Sequence, residues 1–119
     1  MTNKPNPAIN MDKKYNTATL LNGLRIIHRP SSSPVVYCGY QINAGTRNET
    51  PEEMGMAHFC EHASFKGTSK RTPFNILNCL ESVGGDLNAF TNKEDTVYYA
   101  ALPKEHAFRA VKLLTDMVF

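Results

Sequence analysis

Long apolar runs are missing from this chain, and no stretch approaches the ~20 consecutive apolar residues that a membrane span requires. The opening residues 1–16 are polar, contain Pro5 and Pro7, and have no apolar segment of the secretory type. They are expected to form a flexible arm. A basic stripe is also lacking. Thirteen Lys and Arg against eleven Asp and Glu leave a net charge of +2 from interspersed residues, which argues against a nucleic-acid-binding surface. Cysteine is scarce and odd in number: Cys38, Cys60 and Cys79 show no zinc-ribbon spacing. Without an export signal, reduced thiols in a cytoplasmic protein are expected. What remains is an ordinary globular composition, 41% hydrophobic and 20% charged. Its 119 residues give room for one domain or part of one.

What is present is a set of short, well-punctuated segments. Residues 17–21 and 24–29 are apolar-rich and flank Asn22-Gly23, the sequence of a type I′ hairpin turn. After the loop 30–34, residues 35–43 (VVYCGYQIN) read as a third strand, so the chain opens as an antiparallel meander. Thr50-Pro51-Glu52-Glu53 reads as a helix start, with Thr50 as N-cap and Glu53 completing a capping box, and Gly67 as its stop. Thr72-Pro73 opens a second helix with Phe74, Ile76, Leu77, Leu80 and Val83 on its apolar side, ended by Gly84-Gly85. Residues 86–92 and 96–102 are two further strands around a polar turn. A third helix begins at Lys104 and shows Ala107, Ala110/Val111, Leu114 and Met117/Val118 at helical spacing. It reaches Phe119 without a stop signal, so residues 17–119 are expected to be a truncated domain. No βαβ alternation occurs, and the expected class is α+β, a mainly antiparallel sheet with helices on one face.

The chemistry concentrates in His58-Phe59-Cys60-Glu61-His62. On a helix, residues four apart are rotated by about 40° and residues three apart by about 60° the other way. His58, Glu61 and His62 therefore share a face. Two neutral imidazoles at that spacing can take adjacent positions on Zn²⁺, and the carboxylate beside them is placed to take a proton from a metal-activated water. H-x-x-E-H is a peptidase signature, the inverted form of H-E-x-x-H. The plain alternative is a solvated helix face, and a chance match arises on the order of once in a few hundred chains of this length. Cys60 lies roughly 200° around the helix from His58 and points away from that face.

These residues in their setting resemble the pitrilysin (M16) zinc peptidases. Gly55-Met56-Ala57 through His62, then Phe65-Lys66-Gly67-Thr68, is similar to the family's motif region. Ala44-Gly45-Thr46-Arg47-Asn48-Glu49 resembles its G-S-R-x-E segment, with Thr in place of Ser. Gly84-Gly85-Asp86-Leu87-Asn88-Ala89-Phe90-Thr91, with Glu94, Thr96 and Tyr98, resembles its G-G-x-x-N-A-x-T…E-x-T-x-Y block. The resemblance implies the metallohydrolase fold shared with S-ribosylhomocysteinase and the mitochondrial processing peptidases. It also implies a zinc endopeptidase in which His58 and His62 bind the metal and Glu61 is the general base. Asn88 and Ala89 would lie on an edge strand that receives the peptide substrate by strand addition. The family's third ligand, a glutamate on a later helix, would fall beyond Phe119, and Glu81, Asp86, Glu94 and Asp95 do not match it. Glu94 is expected either to be structural or to support the site from behind the metal ligands. A second related domain or subunit would close over the substrate. Without it and without the third ligand this chain alone is expected to be inactive, and the apolar stripe and strand edges it leaves exposed are expected to make it self-associate. Two alternatives stand beside this reading. One is a non-catalytic scaffold of the same family. The other is a non-peptidase zinc enzyme with cysteine as third ligand, for which Cys79 is the candidate. His28 and His106 stand outside the motif blocks and are expected to be ordinary polar residues.

Overall fold

The computed structural model describes residues 10–11 and 15–119, in two compact units divided between Ser33 and Pro34. In the first unit, β1 (Asn10–Met11), β2 (Asn16–Thr19) and β3 (Arg25–His28) form an antiparallel sheet in that order. Most of the expected arm 1–16 lies outside the described residues; Asn10 and Met11 pair with Thr17 and Asn16. The β2–β3 hairpin forms as read, but its turn is of a different kind. Only Gly23 has positive φ (87°), and its N–H donates to the Leu20 carbonyl at 2.9 Å. A turn of ordinary handedness followed by a left-handed glycine makes a longer connection than the two-residue mirror-image turn.

The second unit carries β4 (Val35–Ile42), α1 (Met56–Ser64), α2 (Pro73–Glu81), β5 (Asp86–Thr91), β6 (Thr96–Pro103) and α3 (Ala107–Val118). Its sheet has the order β4-β6-β5, antiparallel throughout. The expected three-strand meander is therefore not formed: β4 pairs with β6, Val35 opposite Pro103 and Ile42 opposite Thr96. Among the described residues there are accordingly two three-stranded sheets where one was expected. Short apolar strands advertise that they will pair, not with whom, because period-two patterning is common to all of them.

Alternation along β6 sets the core. Tyr98, Ala100 and Leu102 are buried, and against them pack Ile76 and Leu80 of α2 and Ala110, Leu113, Leu114 and Met117 of α3. The α3 stripe falls at the i, i+3, i+4, i+7 spacing of a helix lying on a sheet. Its centre is shifted from the one expected: Leu113 is fully buried, whereas Val111 is exposed. On α2 the same holds, with Ile76 and Leu80 buried and Phe74 and Leu77 exposed. Thr72 caps α2 as expected, its Oγ1 accepting from the Asn75 N–H at 3.2 Å.

The start of α1 is the other correction. Residues Pro51–Glu53 form a separate 3₁₀ turn, and the motif helix begins only at Met56, after Gly55. The fastening is Glu49, whose carboxylate accepts from the N–H groups of Gly55 (3.0 Å) and Ala57 (2.8 Å). A carboxylate here satisfies two of the donors left open at a helix N-terminus and meets the positive end of the helix dipole. No helix among the described residues is long and apolar enough to cross a membrane.

Candidate metal centre and active site

Helix α1 places the three motif side chains on one face. The His58 and His62 rings stand edge to face, centroids 4.3 Å apart, with their Nε2 atoms 2.8 Å from each other. Both rings are exposed, His58 with 64% of its side chain open to solvent. Glu61 is the opposite case: only 11% of its side chain is exposed, and its Oε2 lies 3.9 Å from His58 Nδ1. Oε2 accepts the hydroxyl proton of Thr91 at 2.5 Å. Among the described residues no hydrogen bond is made to Glu61 Oε1.

These residues fit a zinc ion in part. Neutral imidazole nitrogens are zinc ligands, and adjacent ligands of a tetrahedral centre with Zn–N bonds of 2.0–2.1 Å lie roughly 3.3 Å apart. The Nε2 pair at 2.8 Å is within about half an ångström of that bite, a gap that small ring rotations close. Two donors do not complete a set. Among the described residues no third His, Cys, Asp or Glu joins them. Cys79 lies on α2 beside the Arg71 guanidinium (3.9 Å), half-buried against the core, and is not brought to the histidines. Glu94 is engaged by Arg47 in an exposed ion pair, and Asp95 accepts from Gln41 and Asn92 side chains. Asp86 and Glu81 are exposed at the start of β5 and the end of α2. His28 Nδ1 faces Asn16 Nδ2 at 3.3 Å within the first unit, and His106 ends the 3₁₀ turn before α3.

Among the described residues, strand β5 is an edge of its sheet, with β6 on one side only. Asn88 is exposed on it, and Ala89 packs against the core face. Two rows along, Thr91 turns to the same side as Ala89 and reaches Glu61. The strand end is held from outside. Asn92 and Lys93 carbonyls accept from the N–H groups of Thr46 (3.0 Å) and Arg47 (2.8 Å), alongside the Arg47–Glu94 pair. This approach depends on Gly45, where an added Cβ would sit 2.4 Å from the Asn92 carbonyl oxygen. The segment 44–49 thus secures both the helix carrying the motif and the strand end facing it. Sequence reasoning assigned no role to Thr91 or Glu49. The period-two face shared with Ala89, and an acid just ahead of the motif helix, were the available signals.

The family model described as Insulinase (Peptidase family M16) matches residues 25–119. The chain belongs to peptidase family M16. Among M16 relatives, the Bacillus subtilis (strain 168) protein named "Uncharacterized zinc protease YmxG" is 44% identical over 111 residues, covering 92% of this chain and 26% of that protein. The beta subunit of mitochondrial-processing peptidase from Dictyostelium discoideum is 41% identical over 101 residues, 84% of this chain and 22% of that one. The crystal structure of a protease from Helicobacter pylori superposes with a TM-score of 0.84 at 26% identity, over 87% of this chain and 26% of its own. The chain spans about a quarter or less of the length of these relatives. M16 membership carries a zinc-dependent mechanism in general terms, and the mixed α+β fold with antiparallel sheets matches that of an M16-like protease.

The cytoplasmic location expected above is overturned. Relatives at 40–42% identity are named as beta subunits of mitochondrial-processing peptidase, which goes against that expectation. The expectation rested on the lack of an apolar segment of the secretory type, and that absence does not by itself assign a location.

Proposed function

We propose that this chain supplies the metal-binding and proton-transferring part of a zinc endopeptidase acting on peptides or unfolded segments. The observation that carries the reading is the convergence of His58 and His62 Nε2 atoms beside the largely buried Glu61 carboxylate on one face of α1. His58 and His62 are two of the zinc ligands, and a glutamate from outside residues 1–119 is the third. Zinc bound there supplies Lewis acidity toward a carbonyl oxygen and acidifies water. Glu61 Oε1 takes a proton from the water whose oxygen attacks the scissile carbonyl carbon, and a proton returns to the departing amine nitrogen. The open edge of β5, at Asn88 and Ala89, holds the peptide as an added strand, which accepts many sequences because main-chain groups make the bonds.

The whole assembly needs more than this chain. Residues 17–119 form the front part of a peptidase domain, and a second related domain or subunit encloses the substrate, in keeping with relatives named as subunits. Alone, the chain offers two metal donors among its described residues, so it binds zinc weakly and cleaves peptides negligibly. Its exposed Tyr37, Phe59, Phe74, Phe108 and Phe119 favour self-association. In the full-length protein, Glu61→Gln keeps zinc and loses hydrolysis by roughly 10²–10⁴-fold, whereas His58→Ala or His62→Ala loses both. Normal turnover by the Gln variant would remove Glu61 from the role of base.

A further inference from the structure

We infer that Thr91 is the positioning residue for the Glu61 carboxylate, acting through its hydroxyl and not through its bulk. The inference rests on the proposal that Glu61 is the general base. A glutamate has three side-chain torsions, and the last is broad and two-fold, so burial alone leaves the carboxylate plane free to turn. Thr91 removes that freedom. Its Oγ1–H donates to Oε2, the oxygen that also lies 3.9 Å from His58 Nδ1. With Oε2 occupied, Oε1 is the oxygen left without a hydrogen bond among the described residues, and it is the one available to a water.

The hydroxyl comes from a rigid place. Thr91 is the last residue of β5, paired with Thr96 of β6. The turn that follows is closed by the Asn92 N–H on the Asp95 carbonyl (2.7 Å) and by Gln41 Nε2 on Asp95 Oδ2 (2.6 Å). The carbonyls of Asn92 and Lys93 are held in turn by the backbone of Thr46 and Arg47. Thr91 is thus half-buried, β-branched and fixed at its backbone, which leaves its side chain few ways to point. Partners that orient a reacting group from behind are worth about 10–100-fold in activity when removed.

The test uses the full-length protein with Thr91→Val, which keeps shape and loses the hydroxyl, and Thr91→Ser, which keeps the hydroxyl and loses the methyl. Zinc content, melting temperature, and kcat and KM for a peptide substrate are measured on each. Expected are a kcat for Thr91→Val lowered about 10–100-fold, KM within about twofold, zinc content unchanged, and recovery to within about threefold of wild type for Thr91→Ser. Placed on a Glu61→Gln background, Thr91→Val should lower the residual rate no further. Any of four results would overturn the inference: wild-type kcat for Val, equal impairment of Val and Ser, loss of zinc in Val, or additive effects in the double variant. Should Thr91→Val fail to fold, the Ser variant decides, since a packing role predicts impairment and a hydroxyl role predicts near-normal kcat. A fully active Glu61→Gln would instead defeat the base assignment itself, so the two failures are distinguishable.

Discussion

Replacing Glu49 by alanine removes an interaction that holds the motif helix by its first turn. Helix α1 has nine residues, too few to be stable on its own account. The Glu49 carboxylate accepts from two backbone donors, one at Ala57 in part-buried surroundings and one at exposed Gly55. A hydrogen bond to a charged group is worth about 1.5–3 kcal/mol where water is kept out, and water substitutes well at the exposed donor. Taking the low end for the first and a few tenths for the second gives about 2 kcal/mol. With an unfolding entropy of about 2.1 cal/mol/K per residue, a chain of 119 residues loses roughly 8 °C of melting temperature for that amount. The assay is thermal unfolding followed by circular dichroism, with amide hydrogen exchange read residue by residue. Protection at Ala57, His58 and Phe59 should fall about 30-fold, the equivalent of 2 kcal/mol. A melting temperature within a degree or two of the parent would refute the reasoning, as would lost protection centred on α3.

Leu113→Ala, at a fully buried contact of α3 with the sheet, should cost about 2–5 kcal/mol, checked by the denaturant midpoint with the m-value unchanged. The thiols should separate by reactivity. Burial pushes the Cys38 thiol up from its ordinary range, so alkylation of the native chain should reach exposed Cys60 first and Cys38 last. The sign for stability follows. Because the folded state keeps Cys38 protonated to higher pH than the unfolded state does, its contribution is complete below the ordinary thiol range. That contribution is lost as pH rises toward the raised value. Cys38→Ala should flatten that alkaline decline in a pH series of melting temperatures.

Much of the site was legible locally because its parts are close in sequence: His58, Glu61 and His62 share a face by helical geometry alone. The second helix announced itself through Thr72, and its glycine stop was equally plain. Failures came where a partner lies far along the chain. Strand β4 finds β6 some sixty positions later, and Thr91 meets Glu61 across thirty. Period-two patterning records that a strand has a face, not which strand lies beside it. The helix start was misread for a related reason. Thr50-Pro51-Glu52-Glu53 has every local mark of a start, and it does begin a turn, but the longer helix took its cap from a side chain outside that window.

The two-sided hold of the segment 44–49 bears on how amino-acid changes in this protein are to be interpreted. Backbone donors at Thr46 and Arg47 grip the 92–93 carbonyls, and the Glu49 side chain grips the front of α1. Glu61 and the Thr91 hydroxyl that donates to it are thereby mounted through a common bracket. Bulk added at Gly45, where the nearest oxygen would be 2.4 Å from the new carbon, must shift one arm of that bracket against the other. On the proposed function, damage there would show as slowed hydrolysis with an intact motif, and a search confined to His58, Glu61 and His62 would pass over its cause.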